Sequence, residues 1–323
     1  METIILKPNI QSYEKAAQII KQGGLVAFPT ETVYGLGANA LDEQAAKKIY
    51  AVKGRPSDNP LIIHVADKED ISKYCFVPDT AKTFIDEFMP GAVTAVFKKK
   101  ELIPDAVTGG LKTVAVRIPS NSIAREFIRS TNLPICAPSA NTSSKPSPTL
   151  AIHVYEDLSG KIPYIIDGGS CDIGIESTII DFSGERPRLL RPGGVPIEKI
   201  EAIIGKVERN ISADRPLCPG MKYKHYSPKA QVYLYKKSMD VYEFFGNEQN
   251  AFVGYEGDFE LRKNVYVVKN DYEYAKLIFA IFRECDSNGV EKIFCPIPMD
   301  NGIGASLHNR LIKAAGGKIV EEK

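Results

Sequence analysis

The sequence contains no apolar run long enough to span a bilayer, and its first residues, METIILKPNI, lack the basic-then-apolar build of a signal peptide. Membrane insertion and secretion are therefore not expected, and the chain reads as cytoplasmic. Its six cysteines (Cys75, Cys136, Cys171, Cys218, Cys285 and Cys295) are scattered, with no C-x-x-C pair, so neither a zinc site nor a disulfide framework is indicated. Four widely spaced histidines suggest no metal cluster either. A net charge of +1 argues against a surface built throughout for nucleic acid and leaves room only for a local basic groove. The common nucleotide fingerprints are also missing. Without G-x-x-x-x-G-K-[ST] or G-x-G-x-x-G there is no P-loop or dinucleotide motif, and without G-x-S-x-G a serine-hydrolase reading weakens.

What is present is an ordinary globular composition, 44% hydrophobic and 25% charged, over 323 residues, for which two domains are the natural prior. The pattern is an α/β alternation. Ser12 is expected to cap a helix YEKAAQIIKQ that stops at Gly23-Gly24, before a strand LVAFP. Asp42 is expected to cap EQAAKKIYAVK, followed by the loop GRPSDNP and the strand LIIHV. Helices at DTAKTFIDEFM and SIAREFIRS, and strands at AVTAVFK, TVAVRIP, PICAPSAN, YIIDGG, ESTIID and RLLRPG, continue the series to a helix near 196–204. Residues 206–229 then lose periodicity and carry CPGMKYKHYSPK, which reads as a linker. Strands QVYLYK, AFVGYE, NVYVVK and KIFCPIP with helices at 272–285 and 304–315 give a second, smaller α/β domain over 230–323.

Polar groups gather at the strand ends of the first domain, where ligands of open α/β sheets bind. FPTETVYGLG sets Thr30, Glu31, Thr32 and Tyr34 behind a buried strand. KGRPSDNP offers Lys53, Arg55, Ser57 and Asn59, which suit a polyphosphate but also suit a solvated surface loop. In LIIHV, Ile62 and His64 share one face; in TVAVRI, Thr113, Ala115 and Arg117 share one face. An Arg on an inner sheet face needs an anion, supplied either by a protein carboxylate or by a substrate. APSANTSSKPSPT supplies hydroxyls and an amide, GIESTIID carries Glu176, Ser177 and Thr178 into a strand, and LLRPGG leaves Arg191 beside glycines.

In their order and spacing, PTETVYGLG, KGRPSDNPLIIH, VAVRIP, PSANTSSKPSPT, GIESTIID and LLRPG resemble the YrdC-domain family, the L-threonylcarbamoyladenylate synthases. The likeness spans about residues 1–205, and PGMKYKHYSP followed by a small α/β domain resembles the longer, two-domain form. The resemblance implies a twisted mixed sheet with a basic concave cavity, plus a Rossmann-like C-terminal domain. It implies ATP-dependent joining of L-threonine and bicarbonate or CO₂ into threonylcarbamoyl-AMP, with release of pyrophosphate. The product would pass to a tRNA threonylcarbamoyl-transferase that modifies adenosine next to the anticodon, with tRNA contact left open. Carried over position by position, threonine falls to Thr32, His64, Arg117, Ala137 and Ser177. ATP, with Mg²⁺ held largely by its phosphates, falls to Arg55, Asn59, Thr113, Ser139, Ser147, Arg191 and Tyr226, and charge adds Lys53. No general base is indicated. Residues 219–228, with aromatic and cationic side chains between Pro219-Gly220 and Pro228, are expected to act as a lid that brings Tyr226 onto the nucleotide. The rival reading is a non-catalytic protein that binds duplex RNA or the ribosome through the basic cavity. A third treats the second domain as an interaction module.

Overall fold

The computed structural model describes residues 1–209, Cys218 and 226–321. Among them the chain builds two sheets. The larger is made by β1 (Ile4–Leu6), β2 (Val26–Phe28), β3 (Gly35–Asn39), β4 (Ile62–His64), β5 (Cys75–Phe76), β6 (Val93–Lys99), β7 (Thr113–Arg117), β8 (Ile135–Ala137), β9 (Tyr164–Ile166), β10 (Thr178–Asp181) and β11 (Arg188–Arg191). Their spatial order is β1-β9-β2-β3-β8-β4-β7-β6-β10-β11, with β5 added beside β6. Pairing is mixed: β4 runs parallel to β7 and β6 parallel to β10, while β2–β3, β3–β8 and β6–β7 are antiparallel. The twisted mixed sheet implied by the resemblance is present.

Eight α-helices accompany this sheet among the described residues: α1 (Ile10–Lys21), α2 (Glu43–Lys53), α3 (Ile71–Tyr74), α4 (Lys82–Phe88), α5 (Asp105–Thr108), α6 (Ser122–Thr131), α7 (Ala151–Leu158) and α8 (Ile197–Ile204). Asp42 caps α2 as expected, accepting from the backbone N–H of Gln44 and Ala45. The cap of α1 differs from expectation. Asn9 accepts from the amide of Ser12, so the helix starts a turn earlier and Ser12 lies inside it. Strand β3, written GLGAN, carries no propensity signal and was not expected. Its glycines make room for an aromatic ring: a Cβ on Gly37 would sit 2.7 Å from Ile135 and 3.0 Å from the ring of Phe28.

Period two sorts the strands as their sequences require. Leu61, Ile63, Val65, Val114 and Val116 enter the main core on one face. On the other face α1 and α6 cover only part of the sheet, packing Ala16, Ile20, Ala124 and Phe127 on Val26, Phe28, Ile135 and Ala137. Ile62, Val96, Ala115 and Ile179 lie in a separate small cluster on that side. This uncovered half becomes the floor of a cleft.

The second sheet contains β12 (Gln231–Tyr235), β13 (Asn250–Tyr255), β14 (Val265–Val268) and β15 (Lys292–Pro296) in the order β12-β15-β13-β14, all parallel. Helices α9 (Asp271–Ser287) and α10 (Gly302–Ala315) bury Tyr274, Ile278, Phe279, Leu307 and Leu311 in one core with this sheet. The same core takes in Val33, Ile175 and Tyr226. The two sheets are therefore joined by shared apolar burial, the dominant favourable term in such packing. The backbones come close at Gly174, where φ is +79° and a Cβ would stand 2.4 Å from the carbonyl oxygen of Lys276 on α9.

Candidate functional site

The uncovered half of the first sheet opens into a cleft of about 630 Å³ of empty space, counting the part open to solvent. Its walls come from the strand ends and the loops that follow them.

One end is built by register. β4 and β7 run parallel with Ile62 beside Ala115 and His64 beside Arg117, and β8 sets Ala137 beside Ile62. Neighbours in register share a face, so these side chains converge on the cleft floor. Nδ1 of His64 lies 3.1 Å from the carbonyl of Ile62, and the ring meets Phe28 edge-on. Burial, reinforced by the Arg117 charge, pushes the imidazole pKa down to about 3. His64 is thus neutral; with Nδ1 donating to the carbonyl, Nε2 remains an acceptor.

Arg117 finds its anion within the protein: Nη2 donates to Oε1 of Glu31 at 2.7 Å, both side chains being 5% exposed. Nε of Arg117 and Oε2 of Glu31 are buried without a hydrogen-bond partner. Glu31 is held by a tight turn. Oγ1 of Thr30 accepts from the amides of Thr32 and Val33 and donates to the carbonyl of Val33 at 2.6 Å. Tyr34 secures the end of that turn by donating to the carbonyl of Gly169 at 2.8 Å.

The other end is cationic. Arg55 donates from Nη2 to the carbonyl of Pro60 and from Nε to that of Asn59; burial lowers its pKa to about 10, which leaves it charged at neutral pH. Arg191 donates from Nη2 to the carbonyl of Ser177 at 3.0 Å, and Oγ of Ser177 is 2.8 Å from Oγ1 of Thr94. Oγ of Ser139 donates to Oδ1 of Asn141, and Oγ of Ser147 donates to Oε1 of Glu176 at 2.6 Å. Burial alone would raise the Glu176 carboxyl, but the charges of Arg310 and Arg191 and the Ser147 hydroxyl outweigh it and hold the pKa below the usual range. Tyr226 is 5% exposed, with φ of 67°, and its ring stacks on Phe279 of α9.

The expected threonine residues Thr32, His64, Arg117, Ala137 and Ser177 all line the cleft, as do Arg55, Ser139, Ser147, Arg191 and Tyr226. Lys53, Asn59 and Thr113 stand apart from that lining. The Lys53 ammonium is fully enclosed and donates to the carbonyls of Ser139 and Asn141, so it braces their loop, and burial followed by the Arg55 charge lowers its pKa. Asn59 is buried beneath Arg55, which it meets through its backbone carbonyl. Thr113 opens β7, about 13 Å along the strand from Arg117.

Sequence reasoning gave no specific role to Glu31, Lys145 or Glu176, and offered Asn141 only as an unnamed amide of its loop, although all stood in the quoted blocks. A carboxylate beside hydroxyls signals polarity without naming its partner. It also missed Arg283 and Arg310 of the second domain. Residues 219–225 of the expected lid lie outside the described residues. Among the described residues no group of three or more His, Cys, Asp or Glu side chains is placed to hold a metal ion, and no helix is long and apolar enough to cross a membrane.

Residues 18–193 match the Sua5/YciO/YrdC family model, described as "Telomere recombination", and residues 195–316 match the model described as "Threonylcarbamoyl-AMP synthase, C-terminal domain". The chain is 45% identical to the threonylcarbamoyl-AMP synthase of Pyrococcus abyssi, over 95% of this chain and 94% of the relative. The chain belongs to the threonylcarbamoyl-AMP synthase family. A second member, from Bacillus subtilis, is 41% identical over 98% of this chain and 96% of the relative. The structure matches that of P. abyssi Sua5 complexed with L-threonine at a TM-score of 0.93 and 42% identity, covering 100% of both chains. Membership of this synthase family identifies the chain as a transferase of the ATP-using, tRNA-modifying kind.

Proposed function

We infer that the cleft joins L-threonine, bicarbonate or CO₂ and ATP into L-threonylcarbamoyladenylate and pyrophosphate. The observation that carries this reading is the buried Arg117–Glu31 pair, whose Nε and Oε2 have no hydrogen-bond partner. One orphaned donor and one orphaned acceptor carried by a single ion pair complement an amino-acid zwitterion, carboxylate to guanidinium and ammonium to carboxylate. Neutral His64 beside them supplies an acceptor for the threonine hydroxyl without adding charge.

The bound ammonium first loses a proton to solvent; the free amine then adds to CO₂, releasing a second proton and leaving a carbamate, or to bicarbonate, releasing water instead. A carbamate oxygen then attacks the α-phosphorus of ATP, and pyrophosphate leaves. Arg55 and Arg191 face the triphosphate, Ser139 and Ser147 its polar edges, and Tyr226 the nucleoside. This division follows from the grouping of Arg55 with Arg191 and Tyr226, whose charges act on one another, in a cleft whose lining also holds Ser139 and Ser147. Such chemistry rests on positioning and charge neutralisation. Magnesium enters on the triphosphate as part of the substrate. The product serves a tRNA threonylcarbamoyl-transferase, and the enzyme acts in the cytoplasm.

The duplex-RNA reading is not favoured. Arg55, Arg117 and Arg191 are 9%, 4% and 5% exposed, inside a cleft, where duplex phosphates cannot reach them. Mass spectrometry of a reaction with threonine, bicarbonate and ATP tests the activity. Threonylcarbamoyl-AMP should form only when all three are present, and pyrophosphate release without threonine would refute it.

A further inference from the structure

We propose that the second domain positions the nucleotide end of the cleft, and that Arg283 and Arg310 are the positioning residues that do so. The proposal rests on the assignment of ATP to that end. Arg283 comes from α9 and Arg310 from α10, and both are buried, at 9% and 1% exposure. They grip the same loop from two sides. Arg283 donates from Nη2 to the carbonyl of Pro146 at 2.6 Å and to Oδ2 of Asp157 at 3.0 Å. Asp157 in turn accepts from the amide of Thr142 and from Nζ of Lys145, a residue of the cleft wall. Arg310 donates from Nε to Oε2 of Glu176 at 2.9 Å, and Oε1 of Glu176 accepts the hydroxyl of Ser147 at 2.6 Å. Ser147 is therefore fixed at its preceding carbonyl by one helix and at its side chain, through Glu176, by the other.

Two further contacts carry the same logic. Oγ of Ser306 on α10 donates to the carbonyl of Gly193, two residues beyond Arg191, at 2.8 Å. Tyr226 lies between Phe279, on which it stacks, and Arg310, whose guanidinium carbon is 5.4 Å from the ring centroid. The clasps thus reach Ser147, Tyr226 and the chain two residues beyond Arg191, all three residues assigned to ATP, while Glu176 also adjoins Ser177 of the threonine set. The threonine end is held differently: Glu31, a residue of the first sheet's own loops, fixes Arg117. Buried groups locked by charge-assisted bonds hold a site to the tolerance that chemistry needs, and loosening the support costs affinity although the contacting residues remain.

The test separates the two ends. Arg310→Ala alone would strand a buried carboxylate and could unfold the protein, so the pair is neutralised together as Glu176→Gln/Arg310→Met, with Arg283→Met as an independent variant. Dissociation constants for Mg-ATP and for L-threonine are measured by calorimetry on full-length protein, alongside thermal stability. We expect each variant to bind ATP about tenfold or more weakly and threonine within about twofold of wild type, with KM for ATP rising more than kcat falls. Arg283→Lys, which keeps the charge, should recover part of the ATP affinity. ATP affinity unchanged in both folded variants, or equal losses for ATP and threonine, would overturn the proposal. If the wild-type protein itself bound neither ligand, the substrate assignment would fall first and this proposal with it.

Discussion

Acid should unfold this protein through two histidines that the fold keeps neutral. His64 and His153 are 4% and 7% exposed, and burial, reinforced by Arg117 for the first and Arg283 for the second, lowers their pKa values to about 3 and about 4. In the unfolded chain each titrates near 6.5. Between the folded and unfolded values the unfolded state binds more protons, so stability is intact above about pH 7 and falls as pH drops through 6.5 toward 4. One pH unit corresponds to about 1.4 kcal/mol per group, so at pH 5 each histidine removes about 2 kcal/mol and the pair about 4. That is a large fraction of the 5–15 kcal/mol typical of folded domains. The lowered carboxyls of Asp157 and Glu176 act in the same direction, but their loss begins only as pH falls through the ordinary carboxylate range; the depressed Lys53 also acts in this direction, starting from alkaline pH, and the imidazoles add the slope that begins near 6.5. Urea midpoints measured from pH 8 to 5 should therefore slide downward more steeply below pH 6.5. His64→Gln and His153→Gln, which keep polar side chains that do not titrate, should each remove about half of that added slope. A midpoint unchanged between pH 7 and 5 would refute the reasoning, because it requires both imidazoles to charge as readily folded as unfolded.

Other consequences follow from the same geometry. Arg117→Ala should weaken threonine binding on the order of 100-fold while sparing ATP, and should cost about 3–5 kcal/mol because Glu31 is left buried and unpaired; Glu31→Gln/Arg117→Met should restore stability but not binding, as calorimetry and melting will show. Arg55→Lys and Arg191→Lys should each raise the dissociation constant for ATP, since an ammonium cannot replace a forked donor; full activity in the double variant would remove both from the triphosphate. Threonine should be used far better than valine, with serine between them, because a site that bonds the hydroxyl is left with unpaired polar groups by the isostere; equal turnover in a competition assay would show that the hydroxyl is not read. Gly174→Ala should destabilise by about 2 kcal/mol or more, since the added carbon meets the carbonyl of Lys276 at 2.4 Å; an unchanged melting temperature would mean that the two domains separate freely there.

Much of the site was decided locally. Alternation along LIIHV and TVAVRI is enough to put His64 on the face of Ile62 and Arg117 on that of Ala115, because successive strand residues must point to opposite sides. Asp42 ahead of an amphipathic run determines the start of α2, since its carboxylate satisfies amides within the next turn. The ordered blocks of the first domain were enough to place the chain in its family. Partners were not legible, because charge pairing depends on which loops meet. Glu31 and Arg117 are 86 residues apart, Lys53 and Ser139 also 86, and Glu176 and Arg310 134. Nothing near Lys53 in the chain shows that its ammonium will be enclosed by two carbonyls, and by alternation alone Arg117 suited a substrate anion as well as a protein one. The second domain's hold on the cleft lies wholly at this level. Arg283 and Arg310 read as ordinary helix residues until α9 and α10 are packed against the loops of the first domain. Only that packing removes them from water and obliges each to find a carboxylate.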